Sequence, residues 1–444
     1  MSQPEDKDAK LRKAGKAILA STYEHLKKHG LGREDAREAL QAALEYVAAH
    51  LDGKISPSAS AHGGEGESAA HSQLPMEVVA KGGTVESYTG CLLGLALGDA
   101  VGVASYGHQV ESLGELNRAL GAQRPPVDEH LITASGPLAL QLPGGQFGLP
   151  LGCWSDRTAA AMCTAQSMVA VGRHDPVDVL LRLLRLYRTG VGGCRPGMCP
   201  GLDAPTIESL EAFERYASQG GKRIYGRTAP AIDSSAALAR VPPIVLLMAP
   251  SAPAACLAAA AENTRTTHNS TATMDASRYL AAVLAGIVVS AGRTPPAQIK
   301  ELVLASRYAP APDVWGSKPL SRDARDIADG SFRTKECPRV LRDSASEVLA
   351  QALWALLEAS SFEHGIERLL QHRAGRAALS VYGALAGALF GAASLPKAWI
   401  QRVRNKEQLS NLAASLLDAA HAPPPAPPAA VPPLASPISD SAGG

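Results

Sequence analysis

Net charge is almost absent from this 444-residue chain: 43 Lys and Arg stand against 42 Asp and Glu, a formal charge of +1. General binders of nucleic acid or of anionic membrane surfaces carry a basic excess, so neither partner is expected, although the balance leaves room for a local basic patch. Long apolar runs are missing too. No segment offers about 18 uninterrupted apolar residues, so no membrane-spanning helix is expected. The opening stretch, MSQPEDKDAKLRKAGKAILAS, lacks the apolar core of a secretory signal. Cysteine is sparse: Cys91, Cys153, Cys163, Cys194, Cys199, Cys256 and Cys337 are scattered, with no CxxC pair. Cys194 and Cys199 flank Arg-Pro-Gly-Met without a second pair or a His cluster, which favours two free thiols in a loop over a metal or redox pair. These absences together give the expectation of a cytoplasmic protein. Aromatics make up only 4% of the chain. No alternating strand pattern and no fixed-period repeat are present, so neither sheet nor solenoid is expected.

Alanine and glycine fill the space these absences leave. Alanine is the best helix former, and small side chains let helices pack closely, so the natural expectation is an all-α domain. Residues 1–53 read as an N-terminal helical hairpin, its two helices stopped by Gly30 and Gly53. Residues 54–83 are rich in Ser, Gly and Ala and read as a flexible linker. Residues 84–418 form the main all-α domain. Its helical segments include Tyr88–Ala104, Asp156–Gly172, Pro176–Gly190, Asp275–Gly292, Ser346–Gln371 and Ala378–Pro396. Residues 419–444 form a Pro-rich tail expected to be disordered, with polyproline II character. The added ends also have the layout of a protein delivered into another cell by a non-classical route.

Five stretches in order carry a resemblance. They are GCLLGLALGDAVG (Gly90–Gly102), CWSDRTAAAMCTAQSM (Cys153–Met168), DSSAALARVPPIVLL (Asp233–Leu247), TTHNSTATMDASRYLAAVLAGIV (Thr266–Val288), and the run from Ser346 through YGALAGALFGAASLPKAW to Trp399. In this order the chain resembles the ADP-ribosylglycohydrolase family, which includes the dinitrogenase-reductase-activating and ADP-ribosyl-acceptor hydrolases. The resemblance implies an orthogonal multi-helix bundle. It also implies removal of ADP-ribose from protein side chains, with two magnesium ions held by carboxylates and hydroxyls.

The family's metal ligands are largely missing from the matching positions. Ser155 and Asp156 match the first hydroxyl and first carboxylate of a Thr/Ser-Asp-Asp-Thr helix start, but Arg157 stands at the second carboxylate. The glutamate position after the first helix holds Tyr106, and nearby Glu111 does not fit the spacing. The Asp-x-Asp-Thr start of the last core helix falls on Ala374-Gly375-Arg376-Ala377. One carboxylate and one hydroxyl cannot hold two divalent cations beside two guanidinium groups, so no metal site and no cofactor are expected.

Arg157 and Arg376 then admit two readings. As planar donor forks they suit the pyrophosphate of a nucleotide or an acidic group on a partner. Alternatively, one of them pairs internally with Asp156 and seals the pocket. Arg240 and Pro243 match the third motif, with Ser235 at its Asn; Arg240 shapes a ligand cleft, caps a helix or pairs on the surface. His268 matches a Thr-His segment, where a structural role is favoured over a catalytic one. Asp99 suits hydrogen bonding to neighbouring helices and is also, with Asp156, the remaining candidate for acid–base catalysis. Trp154 suits the core or a stacked base.

Three functions follow. The first is a pseudoenzyme that binds ADP-ribosyl groups, a related nucleotide or a protein partner. The second is a metal-independent hydrolase or lyase using Arg157 and Arg376 as phosphate clamps. The third is an inert scaffold.

Overall fold

The computed structural model describes residues 83–106, 132–133, 136–137, 149, 152–194, 197, 199, 201–218, 226 and 233–422. The expected hairpin (1–53), the linker up to residue 82 and the expected tail (419–444) beyond Ala422, together with Glu111, lie outside them; Ala419–His421, assigned to the tail from sequence, belong to the last helix. In chain order the helices are α1 (Val85–Tyr106), α2 (Asp156–Val171), α3 (Pro176–Thr189), α4 (Ala204–Ser218), α5 (Val241–Met248), α6 (Pro253–Arg265), α7 (Thr271–Ser290) and α8 (Pro296–Val303). They continue as α9 (Val314–Ser317), α10 (Arg322–Ala328), α11 (Ala345–Glu358), α12 (Phe362–Gln371), α13 (Arg376–Phe390), α14 (Lys397–Ile400) and α15 (Lys406–His421). One two-residue antiparallel pairing, Ile132–Thr133 with Gly136–Pro137, and a single bridge residue, Leu149, are the extent of β structure among the described residues. The fold is all-α, as the composition led one to expect.

Glycine at every fourth position sets the centre. Residues four apart share one face of a helix, so Gly90, Gly94, Gly98 and Gly102 form a groove along α1. A Cβ at Gly94 would strike the Gly383 carbonyl, and one at Gly90 the Gly387 carbonyl. At Gly98 it would meet Leu379, and at Gly102 the backbone of Arg376. The partners descend as the glycines ascend, so α1 and α13 run antiparallel with their backbones touching. That register brings Asp99, near the end of α1, beside Arg376, the first residue of α13.

The other helices wrap this pair. The helix α7 is long and apolar enough to cross a membrane by length and composition, but 83% of its apolar window is buried inside the protein, and it serves as a core helix. The run Ser346–Gln371, continuous in the sequence reading, is two helices. Ala359 turns extended, and the Ser361 hydroxyl accepts the His364 N–H at 3.1 Å, capping a new helix start. At the other end, α15 stops at His421 because Ala422 precedes Pro423 and adopts the extended conformation that proline imposes on its predecessor.

Candidate functional site

The start of α2 is held by a carboxylate from another helix. Ser155 is its N-cap residue, but the Ser155 side chain caps nothing. Asp99 does so instead: its Oδ2 accepts the Ser155 N–H at 3.0 Å, the Thr158 N–H at 3.1 Å and the Thr158 hydroxyl at 2.7 Å. Its Oδ1 accepts the Ser155 hydroxyl at 2.7 Å. A helix leaves its first N–H groups without internal partners, and a buried carboxylate that meets two of them is well placed against the helix dipole. Asp99 is fully buried and both its oxygens are engaged. Its geometry is that of a helix tie. A general base needs an oxygen facing the reacting proton, and Asp99 faces α2.

Arg376 meets the same corner from the start of α13. Its Nη1 donates to Ser155 Oγ at 2.7 Å and to Asp156 Oδ1 at 2.5 Å, and its Nη2 to the Gly201 carbonyl at 3.3 Å. A Cβ at Gly201 would strike both Asp156 and Arg376, so the glycine backbone lies directly on the ion pair. Cations are poorly placed at helix N-termini, and Asp156 and Asp99 offset that penalty here. Burial pushes the Asp156 carboxyl above the usual range, against Arg376 and Arg157, which pull it down. Burial works against the charge on Arg376 as well, but Asp156 and Asp99 outweigh it, and its pKa rises.

Arg157, the residue after Asp156, points elsewhere. It is 4% exposed. Its Nη2 donates to Ser235 Oγ at 3.1 Å and lies 3.7 Å from Asp343 Oδ2. Of the two arginines, then, Arg376 forms the internal pair with Asp156, and Arg157 faces Asp343.

A second network lies alongside. Arg240 is buried at 2% exposure, so the surface-pairing reading of this residue is corrected. Its Nη2 donates to Thr267 Oγ1 at 2.5 Å, and burial pushes its pKa down to about 10. His268 sits between Thr267 Oγ1, 2.7 Å from Nδ1, and Asp203 Oδ2, 2.8 Å from Nε2. Asp203 also accepts the Ser234 hydroxyl at 2.7 Å and the Thr206 N–H at 3.1 Å. His268 is wholly buried in this network, with both ring nitrogens engaged. Trp154 is buried too, its Nε1 donating to the Arg404 carbonyl at 2.9 Å, so it offers no face to a base.

Ser155, Asp156, Arg376 and Asp99 are thus brought together at one corner, and Arg157 turns from it towards Asp343. Arg240 and His268 share the adjacent network, joined through Ser234 and Ser235. Sequence reasoning missed Asp203, Thr267, Gly201 and Asp343. The adjacent Thr-His pair and the glycine-rich run ending at Asp203 were the signals available; nothing marked Asp343. None of the seven cysteines is joined in a disulfide, and Cys194 packs with Val103, Leu149 and Cys153. As for metals, the oxygens of Ser155 and Asp156 face a guanidinium. No three His, Cys, Asp or Glu side chains converge as a ligand group among the described residues.

Comparison with known proteins follows the same line. A family model described as ADP-ribosylglycohydrolase matches residues 80–426. The ADP-ribosylarginine hydrolase Tri1 of Serratia proteamaculans (strain 568) is 26% identical over 393 residues, 87% of this chain and 92% of that protein. The protein of the same name from Pseudomonas putida (strain GB-1) is 28% identical over 335 residues, 74% of this chain and 78% of that one. A solved structure titled "ADP-ribosylglycohydrolase-related protein complex" superposes with a TM-score of 0.53 at 26% identity, covering 76% of this chain and 98% of its own.

Proposed function

The chain belongs to the ADP-ribosylglycohydrolase family, and from that premise we propose that it is a member that binds ADP-ribosyl groups without the two-magnesium hydrolysis. The observation that carries this reading is the Arg376 guanidinium held by Ser155 Oγ and Asp156 Oδ1. These are the two residues that match the family's metal-ligand start, and a tethered cation stands against them.

The donor set does not fit a pair of magnesium ions. Magnesium requires near-octahedral oxygen coordination, and it cannot share a carboxylate oxygen with a guanidinium 2.5 Å away. Asp99 is spent on α2, and Arg157 adds a further positive charge beside Asp156. The metal-independent hydrolase reading needs a carboxylate free to take a proton. Asp99 offers none, with both oxygens bound to the start of α2, and Asp156 is ion-paired through Oδ1 with Arg376, which favours binding over turnover.

Thermal unfolding with ADP-ribose, in magnesium and in chelator, tests the proposal. A ligand bound only by the folded state stabilises it by about 2.7 kcal/mol at a hundredfold excess over Kd. The expected result is the same rise in midpoint in both conditions, and no release of ADP-ribose from an ADP-ribosylarginine protein in either. Magnesium-dependent release would overturn the reading, as would the lack of any shift with ADP-ribose.

A further inference from the structure

We infer that Arg157 is the base of an oxyanion site for the phosphates of a nucleotide-like ligand, and that Asp343 is a built-in carboxylate occupying its mouth. The inference rests on the reading of the chain as a binder of ADP-ribosyl groups.

Arg157 is a charge without a matched partner. It is 4% exposed, and its Nε has no hydrogen-bond partner among the described residues. A buried guanidinium normally closes a two-pronged bond with a carboxylate at 2.7–2.9 Å or so. Asp343 stands off at 3.7 Å, beyond hydrogen-bond range. It is bound more firmly to Ser235, whose hydroxyl donates to Asp343 Oδ1 at 2.8 Å and whose N–H donates to the Asp343 carbonyl at 2.9 Å. The same hydroxyl accepts from Arg157. The Ser235 hydroxyl donates to one oxygen of the carboxylate, and the Arg157 guanidinium, bound to that same hydroxyl, stands 3.7 Å from the other; a phosphate group seated there would meet both the hydroxyl and the guanidinium.

The carboxylate is placed to leave. Its side chain is 59% exposed, over a guanidinium that is almost wholly buried. Asp343 holds φ +54°, in the left-handed region that side-chain-bearing residues enter at a cost. It ends the largely exposed segment 333–343, where Arg333, Lys335, Arg339 and Arg342 outnumber Glu336 and Asp343 itself, although Arg342 is paired with Glu347. A cationic approach of this kind concentrates anions at the site mouth. A multiply charged phosphate group outcompetes a single carboxylate for a paired N–H and O–H donor set.

The test is calorimetric titration of inorganic pyrophosphate into the full chain and its Asp343→Asn variant. Asparagine keeps an acceptor for Ser235 and removes the competing charge. Binding tighter by about tenfold or more in the variant is expected, from removal of a like charge at the mouth. Equal affinity in both proteins overturns the inference. Adding Arg157→Gln to the variant must abolish the gain; a gain that survives places the anion elsewhere and also overturns it. Should the buried arginine variant fail to fold, Ser235→Ala in the Asp343→Asn background is read in its place, with the same two outcomes. ADP-ribose titrated into the unmodified chain separates the two readings. If ADP-ribose is ignored while Asp343→Asn gains pyrophosphate, the proposed function fails and the oxyanion site stands. If ADP-ribose binds and Asp343→Asn changes nothing, the reverse holds.

Discussion

Asp203 is the N-cap residue of α4, and its carboxylate also meets His268 and the Ser234 hydroxyl. Burial alone would raise its pKa, but the hydrogen bond and charge of His268, with the bonds from Thr206 and Ser234, outweigh burial and hold it far below the usual carboxylate range. A carboxyl depressed in the folded state contributes stability above its unfolded pKa of about 3.9, and that contribution drains away as pH falls through the folded value. Unfolding midpoints measured between about pH 2 and 5 should therefore fall steeply in the natural chain. In Asp203→Asn the acid fall should be shallower, with a lower midpoint near neutrality. Parallel acid limbs in the two proteins would show that Asp203 is not held down by its partners. None of this was readable from the residue itself, because its histidine partner lies 65 positions away and no spacing rule joins a loop acid to a loop histidine. Ser155 and Asp156 were readable because they sit in a helix-start pattern. Their arginine, 220 residues on from Asp156, was readable as a departure from the Asp-x-Asp-Thr start expected for α13, but its bond to Asp156 was not. Asp343 was unreadable: it sits 108 positions from Ser235 in a segment with no pattern of its own.

The pairing of α1 with α13 shows what a helix face encodes beyond its apolar pattern. Glycine is the poorest helix former but proline, about 1 kcal/mol below alanine per residue. Four glycines spaced by four in one helix are tolerated because each removes a Cβ from a backbone contact. Substituting Gly94 by alanine should gain that ~1 kcal/mol of propensity and lose more to the collision with the Gly383 carbonyl, since overpacking a close contact costs about 1–3 kcal/mol or above. The net expectation is a lowered unfolding midpoint for Gly94→Ala. Gly375, at the N-cap of α13, has open space where its Cβ would go and an ordinary φ of −71°. There, Gly375→Ser should leave the midpoint unchanged or raise it slightly, because serine is a good N-cap. Equal losses at the two positions would show that glycine acts through chain flexibility and not through close approach. The spacing of glycines predicted a helix with a small-residue face. It could not say which distant helix lay in the groove, and that pairing is what carries Arg376 to Ser155.

At the scale of the molecule, the two ends of the matched region close on each other. The helix α1 begins at Val85, its partner α13 ends at Phe390, and α15 packs across α1, α2 and α5. The all-α class followed from alanine content and helical spacing. This closure did not, because α15 is an unremarkable amphipathic helix whose leucines could cover any apolar face. Its inner side buries Leu409, Ala413, Leu416, Leu417 and Ala420. Full burial of a leucine stabilises by about 1.5–3 kcal/mol, so the three leucines together contribute on the order of 5–9 kcal/mol. The whole stability of a domain is about 5–15 kcal/mol. A fragment spanning 80–426 should therefore unfold in one transition near the midpoint of the full chain. A fragment ending at 405 keeps the Arg404 bonds to Trp154 and Gly152 but loses α15. It should lack a cooperative transition altogether and expose apolar surface to a hydrophobic dye. If circular dichroism instead showed the shorter fragment melting cooperatively within a few degrees of the longer one, α15 would be an appendage, and the core would be complete without the C-terminal closure.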